Sequence, residues 1–107
     1  MYAIIPCTSL EQVRSNIDHL DRQLLALIAA RGAYVAQAAQ FKRNLAEVAA
    51  PQRVEQVVAA LKRLAPDYGA DPAVVEATWR AMIGAFITAE TEAHSALQQS
   101  SISTQPG

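Results

Sequence analysis

The feature that most constrains this chain is one long apolar seam between Leu10 and Phe41. Apolar residues recur at Leu10, Val13, Ile17, Leu20, Leu24, Leu27, Tyr34, Ala38 and Phe41, and the seam is broken once, at Arg31. Alternating steps of three and four mark the stripe of a helix that packs lengthwise on other helices. No proline interrupts the stretch, so the pattern predicts a single helix to about Arg43, with Gly32 as its weak position at a cost of about 1 kcal/mol relative to alanine. Such a helix is roughly 50 Å long, whereas a compact domain of about 100 residues has a radius of gyration near 13 Å. The helix outruns its own domain, so part of its seam is expected to be buried by another subunit.

Arg31 stands where the seam asks for leucine, and Lys42 follows eleven residues later, about three turns on and so on the same predicted face. Cations on the buried side of a helix need an anion, and the sequence offers few internal ones. Snorkelling of Arg31 to the helix edge is the structural alternative. Arg14, seventeen residues before Arg31, points roughly 100° away at about 100° per residue. It is either a solvated surface arginine or, in a crossed dimer, a contributor to the partner's site. Arg53 is placed to close the cluster, or else pairs locally with Glu47 or Glu55. Glu90 shares a helical face with Ile83, Phe86 and Ile87. Buried there, its carboxyl would favour the protonated form and donate a hydrogen bond. At the rim it would instead pair with an arginine.

The rest of the chain reads as short and long helices. Residues 1–7 are a lead-in, Thr8 and Ser9 with Glu11 and Gln12 offer a capping box, and residues 44–50 form a link of small and polar residues. Pro51 opens a second helix with Val54, Val57, Val58 and Leu61 inward, and Pro66 ends it. Asp67-Tyr68-Gly69 signals a turn. Asp71-Pro72 starts a third helix lined by Val75, Trp79, Met82, Ile83, Phe86 and Ile87, followed by a polar tail at 100–107. The expected architecture is all-α: one domain over residues 8–99, three helices arranged long–short–long, in a dimer.

Bulk properties narrow the function. Hydrophobic residues make up 51% of the 107 positions, enough for a core, and the net charge of −1 with no basic block argues against nucleic acid and anionic membranes as partners. A single cysteine, Cys7, and two separated histidines, His19 and His94, give neither a disulfide nor a metal-ligand set. No membrane span, signal peptide or cofactor motif is read, and a cytoplasmic location is expected. Arginines, a lysine and one carboxyl suit the capture of a small dicarboxylate and the stabilisation of charge on an oxygen. They suit a reaction that the substrate performs by itself once oriented, without a covalent intermediate.

The series Arg14-x-x-Ile17-Asp18-x-x-Asp21-x-x-Leu24-Leu25-x-Leu27-Ile28-x-x-Arg31, then Lys42, then Pro51-x-Arg53-Val54, resembles the all-helical (type II) chorismate mutase family over about residues 8–98. Phe41-Lys42 and Ala50-Pro51-x-Arg53-Val54 are similar to its isochorismate pyruvate lyase branch. The resemblance implies an intertwined homodimer in which Arg14 reaches in from the partner. Arg14 and Arg31 would hold carboxylates, and Lys42 and Glu90 would bond the breaking ether oxygen. Arg53 would complete a positive wall, with Val54 and Ile87 against the substrate and residues 43–50 as a lid. Val54, where many mutases of the family carry an acidic residue, and Ala50 favour the lyase. Glu90 stands where the lyase and many bacterial mutases carry glutamine and some mutases carry glutamate, and so favours a mutase. The expected activity is rearrangement of chorismate to prephenate, with cleavage of isochorismate to salicylate and pyruvate as the alternative, and a non-catalytic helical dimerisation module as the alternative of another class. Aromatic amino-acid and siderophore pathways both stay open.

Overall fold

A computed structural model describes the backbone of residues 2–103 and the side chains of residues 2–96. Its elements are α1 (Leu10–Ala39), α2 (Leu45–Ala49), α3 (Pro51–Leu64), a 3-10 turn (Ala65–Tyr68) and α4 (Pro72–Ser103). The all-α, three-helix expectation holds, with a short extra helix and turn between the long members. The chain falls into two compact units, one up to Val35 and one from Ala36 onward.

In the first unit, α1 begins where the sequence places its cap. Ser9 Oγ accepts the Gln12 N–H at 3.1 Å, and Gln12 Oε1 reaches back to the Thr8 N–H at 2.9 Å. Two backbone donors that a helix start leaves unpaired are thereby satisfied. No residue of α1 is buried within the single chain. Leu24 is 53% exposed and Leu27 62%, although both lie on the predicted seam. The predicted seam is thus a stripe of leucine and isoleucine open to water in the single chain.

The second unit has a core. Val48 of α2, Val58 of α3, Ala65 of the turn and Ile83 of α4 are its buried apolar members. The predicted inner faces of α3 and α4 are correct: Val54, Val57, Leu61, Val75, Trp79, Met82, Phe86 and Ile87 are all half-buried around them. Outside the core, Arg80 of α4 forms a two-pronged pair with Glu55 of α3, both bonds at 2.9 Å, and Lys62 of α3 meets Glu76 at 3.2 Å. These pairs fasten α3 along α4. Asp71 Oδ1 accepts the Ala73 N–H at 2.9 Å and caps α4, with Pro72 in the first helical position as expected. Helix α4 runs to Ser103, and the remainder of the expected 100–107 tail lies outside the described residues. No helix among the described residues is long and apolar enough to cross a membrane.

Two sequence expectations need correction. Helix α1 ends at Ala39 rather than near Arg43. The N–H groups of Gln40, Phe41 and Lys42 reach only three residues back, to Gln37, Ala38 and Ala39, at 3.1, 3.0 and 3.2 Å. This tightening closes the helix. Lys42 therefore stands beyond it, and the helical-register argument that put Arg31 and Lys42 on one face does not apply. The second correction concerns the link at 44–50, which contains α2. Asn44 Oδ1 caps it by accepting the Glu47 N–H at 3.0 Å, and the Glu47 carboxylate takes the Arg43 N–H. Asn44-x-x-Glu47 is a capping-box pattern that could have been read from the sequence.

Candidate active site

Lys42 and Glu90 are the candidate residues that the structure brings together. Glu90 lies on the core face of α4, one turn after the half-buried Phe86 and Ile87 and two after the buried Ile83. Its side chain is only 5% exposed, and that of Lys42 24%. The Lys42 ammonium donates to Glu90 Oε1 at 2.6 Å and to Oε2 at 3.2 Å. Of the two readings of Glu90, burial is correct and the rim reading is not, and its partner is a lysine rather than an arginine. A carboxylate this far from water is tolerable because both oxygens meet one cation.

The segment that delivers Lys42 is held from both ends. Behind it, α1 closes in the tightened turn described above. Ahead of it, α2 is anchored by its Asn44 cap and by Val48, which is 2% exposed. At the α2–α3 junction, Ala50 takes φ 39° and ψ 58°, the left-handed region. The following Pro51 disfavours a right-handed conformation there, and Ala50 both ends α2, donating to Ala46 O at 3.0 Å, and starts α3, accepting from Val54 N at 3.1 Å.

The other candidates are distributed as follows. Arg53 is exposed in the first turn of α3, beside half-buried Val54, while Ile87 is half-buried on α4. In the first unit, Arg31 is half-buried on α1 and Arg14 is exposed. Arg14 lines an open hollow of about 350 Å³ with Leu10, Glu11, Ser15, Asp18 and Arg22. Among the described residues, Arg14 and Arg53 enter no ion pair. The local pairing of Arg53 with Glu47 or Glu55 does not form, since Glu47 turns to Arg43 and Glu55 to Arg80. Both arginines thus present guanidinium forks that are open to an external anion.

One residue beyond the sequence reading belongs in this description. His94 lies on α4 one turn past Glu90, and its Nδ1 is buried with no hydrogen-bond partner among the described residues. A lone histidine gives no spacing signal, so only the fold singles it out.

The described residues thus define an all-helical protein with a buried lysine–carboxylate pair and with Arg14 and Arg53 outside any ion pair. Comparison with known proteins makes this specific. Residues 13–91 match the family described as chorismate mutase type II. The isochorismate pyruvate lyase of Pseudomonas aeruginosa is 32% identical over 81 residues, covering 76% of this chain and 80% of that protein. The chain belongs to the type II chorismate mutase family, whose enzymes are chorismate mutases or isochorismate pyruvate lyases.

Proposed function

We propose that this protein is a chorismate mutase, converting chorismate to prephenate by a pericyclic rearrangement in which the substrate never bonds to the protein. The observation that carries the reading is the Lys42–Glu90 pair: a cation and a carboxyl with an apolar floor from α4, suited to charge that develops on an ether oxygen. In this proposal Lys42 donates to that oxygen and Glu90, protonated, donates beside it. Arg14 and Arg31 hold the two carboxylates, Arg53 adds positive potential, and Val54 and Ile87 supply apolar contacts. Orientation and preorganised charge lower the barrier.

The protein is proposed to act as a homodimer. The exposed leucines of α1 support this, because a water-exposed stripe of that length is costly for a free subunit. The second reading is isochorismate pyruvate lyase. It is favoured by the likeness to the Pseudomonas aeruginosa enzyme and by the apolar Val54 and Ala50. Chorismate and isochorismate, fed separately while prephenate and salicylate are followed, decide between them. Prephenate from chorismate is the expected result. Salicylate from isochorismate alone would transfer the assignment to the lyase, and no saturable turnover of either would remove both.

A further inference from the structure

The lead-in before α1 is tied to the helix it precedes. Pro6 fixes its own φ and biases Ile5 toward extended backbone, and residues 2–7 form neither helix nor strand. Thr8 donates its N–H to Gln12 Oε1 at 2.9 Å and its hydroxyl to the same oxygen at 3.2 Å. Asn16 Nδ2 donates to Cys7 Sγ at 3.6 Å, and the Cys7 thiol donates to Ile5 O at 3.5 Å. Residues 2–7 thus run as a strap beside the first half of α1.

Between strap and helix lies a hollow of about 400 Å³, with Tyr2, Ile4 and Ile5 contributed by the strap and Val13, Ile17 and Leu20 by the helix. No aspartate, glutamate, lysine or arginine lines it. Four charged residues of this part of α1, Glu11, Arg14, Asp18 and Arg22, line the separate hollow described above, roughly 140° away by helical register. The hollow under the strap therefore suits apolar side chains and disfavours ions, which would lose hydration there without gaining a partner.

The hollow is not closed. Ile4 is 82% exposed and Ile5 67%. Nor does its floor end the stripe: Val13, Ile17 and Leu20 lead turn by turn to Leu24 and Leu27, which are open to water as well. A small molecule in the hollow would cover the floor and leave the stripe beyond it wet. A body that covers both must itself carry a long apolar stripe. A second copy of this chain carries one, and a twofold pair sets the same surface against itself, so that each copy covers the other.

We infer that residues 2–7 are an assembly strap: with Val13, Ile17 and Leu20 they form a socket that takes apolar side chains of a second copy of this chain. The inference rests on the homodimer proposed above. It goes further in giving the lead-in a task, on a segment outside α1 and outside the residues assigned to the substrate.

The test uses the full chain. In one arm Tyr2, on the rim of the socket, is replaced by the photocrosslinker p-benzoylphenylalanine, and chains grown in heavy and in ordinary nitrogen are refolded together and irradiated. Mass spectrometry should find peptides that join a heavy to an ordinary chain. In the other arm the pair Ile4→Ser and Ile5→Ser strips the apolar wall and leaves the bonds at Cys7, Thr8 and Asn16 in place. Sedimentation equilibrium in a urea series brings dissociation into range, and the dissociation constant of the dimer should rise by about tenfold or more at each urea concentration. Val74→Ser, an exposed apolar position on α4, should leave it unchanged. A dimer whose Tyr2 crosslinks stay within one chain would overturn the strap while leaving the homodimer standing. A dissociation constant unmoved by the double substitution, or moved equally by Val74→Ser, would also overturn it. A monomer at every concentration tested would overturn the strap together with the homodimer.

Discussion

Substituting Lys42 by methionine measures what the buried pair contributes. Methionine keeps most of the stem and its apolar packing while removing the charge and the donors. Glu90 would keep its place at 5% exposure with neither oxygen bonded to a cation. Removing one partner of a fully buried pair costs about 3–5 kcal/mol, because the surviving charge has no counter-ion. Lys42 is 24% exposed, so water reaches its end of the pair. The discounted expectation is about 2 kcal/mol at pH 7. For a chain of this size that loss lowers Tm by roughly 8–16 °C. Glu90→Gln keeps the shape and leaves a neutral amide beside the ammonium, at a cost of about 1 kcal/mol. The double variant should fall short of the sum of the single losses by about 1 kcal/mol or more, since the second substitution removes the group that the first had orphaned. Urea unfolding followed by far-ultraviolet circular dichroism provides the assay. Chain concentration is held fixed because subunit association adds to apparent stability. Lys42→Met within about 0.5 kcal/mol of wild type, or strictly additive losses, would refute the reasoning.

Arg31→Ala should abolish turnover of chorismate and isochorismate while leaving helix content unchanged; activity that survives it would show the carboxylate-holding role to be misassigned. Ala50→Gly should stabilise the fold by about 0.5 kcal/mol, because relief of the left-handed conformation slightly outweighs the extra entropy of glycine in the unfolded chain; a lower Tm would show that the junction carries no strain. Arg80→Met should flatten the acid limb of stability. The hydrogen bond and charge of Arg80 hold Glu55 below its ordinary value of 4.5, and the hydrogen bonds of Lys62 and then Arg80 do the same for Glu76. A depressed carboxyl contributes stability that is present above its unfolded value and lost as pH falls through the folded one, so the effect belongs below about pH 5. An unchanged acid slope in Arg80→Met would show that these exposed pairs contribute nothing.

What was legible in the sequence was periodic or chemically punctuated. The inner faces of α3 and α4 followed from apolar spacing, and the starts of α1 and α4 from Ser9, Gln12 and Asp71, because those side chains bond backbone groups within four residues. The end of α1 was not legible. Phe41 continues the apolar rhythm beyond the last true turn, and nothing local marks the point where the bonds tighten at Gln40. That error carried Lys42 onto a helix it does not occupy. The chemical expectation that a cation amid apolar spacing needs an anion pointed outside the chain, because the sequence offered few internal partners. The anion proved to be Glu90, forty-eight positions away, and no periodicity links two elements across such a separation. The sequence could say that Glu90 was on a core face but not whether the chain would cover it, since burial at 5% side-chain exposure arises from elements distant in sequence. The same limit explains the seam of α1. Its spacing predicts a buried stripe, whereas Leu24 and Leu27 are exposed in the single chain, and intrachain spacing cannot specify a surface that would cover them.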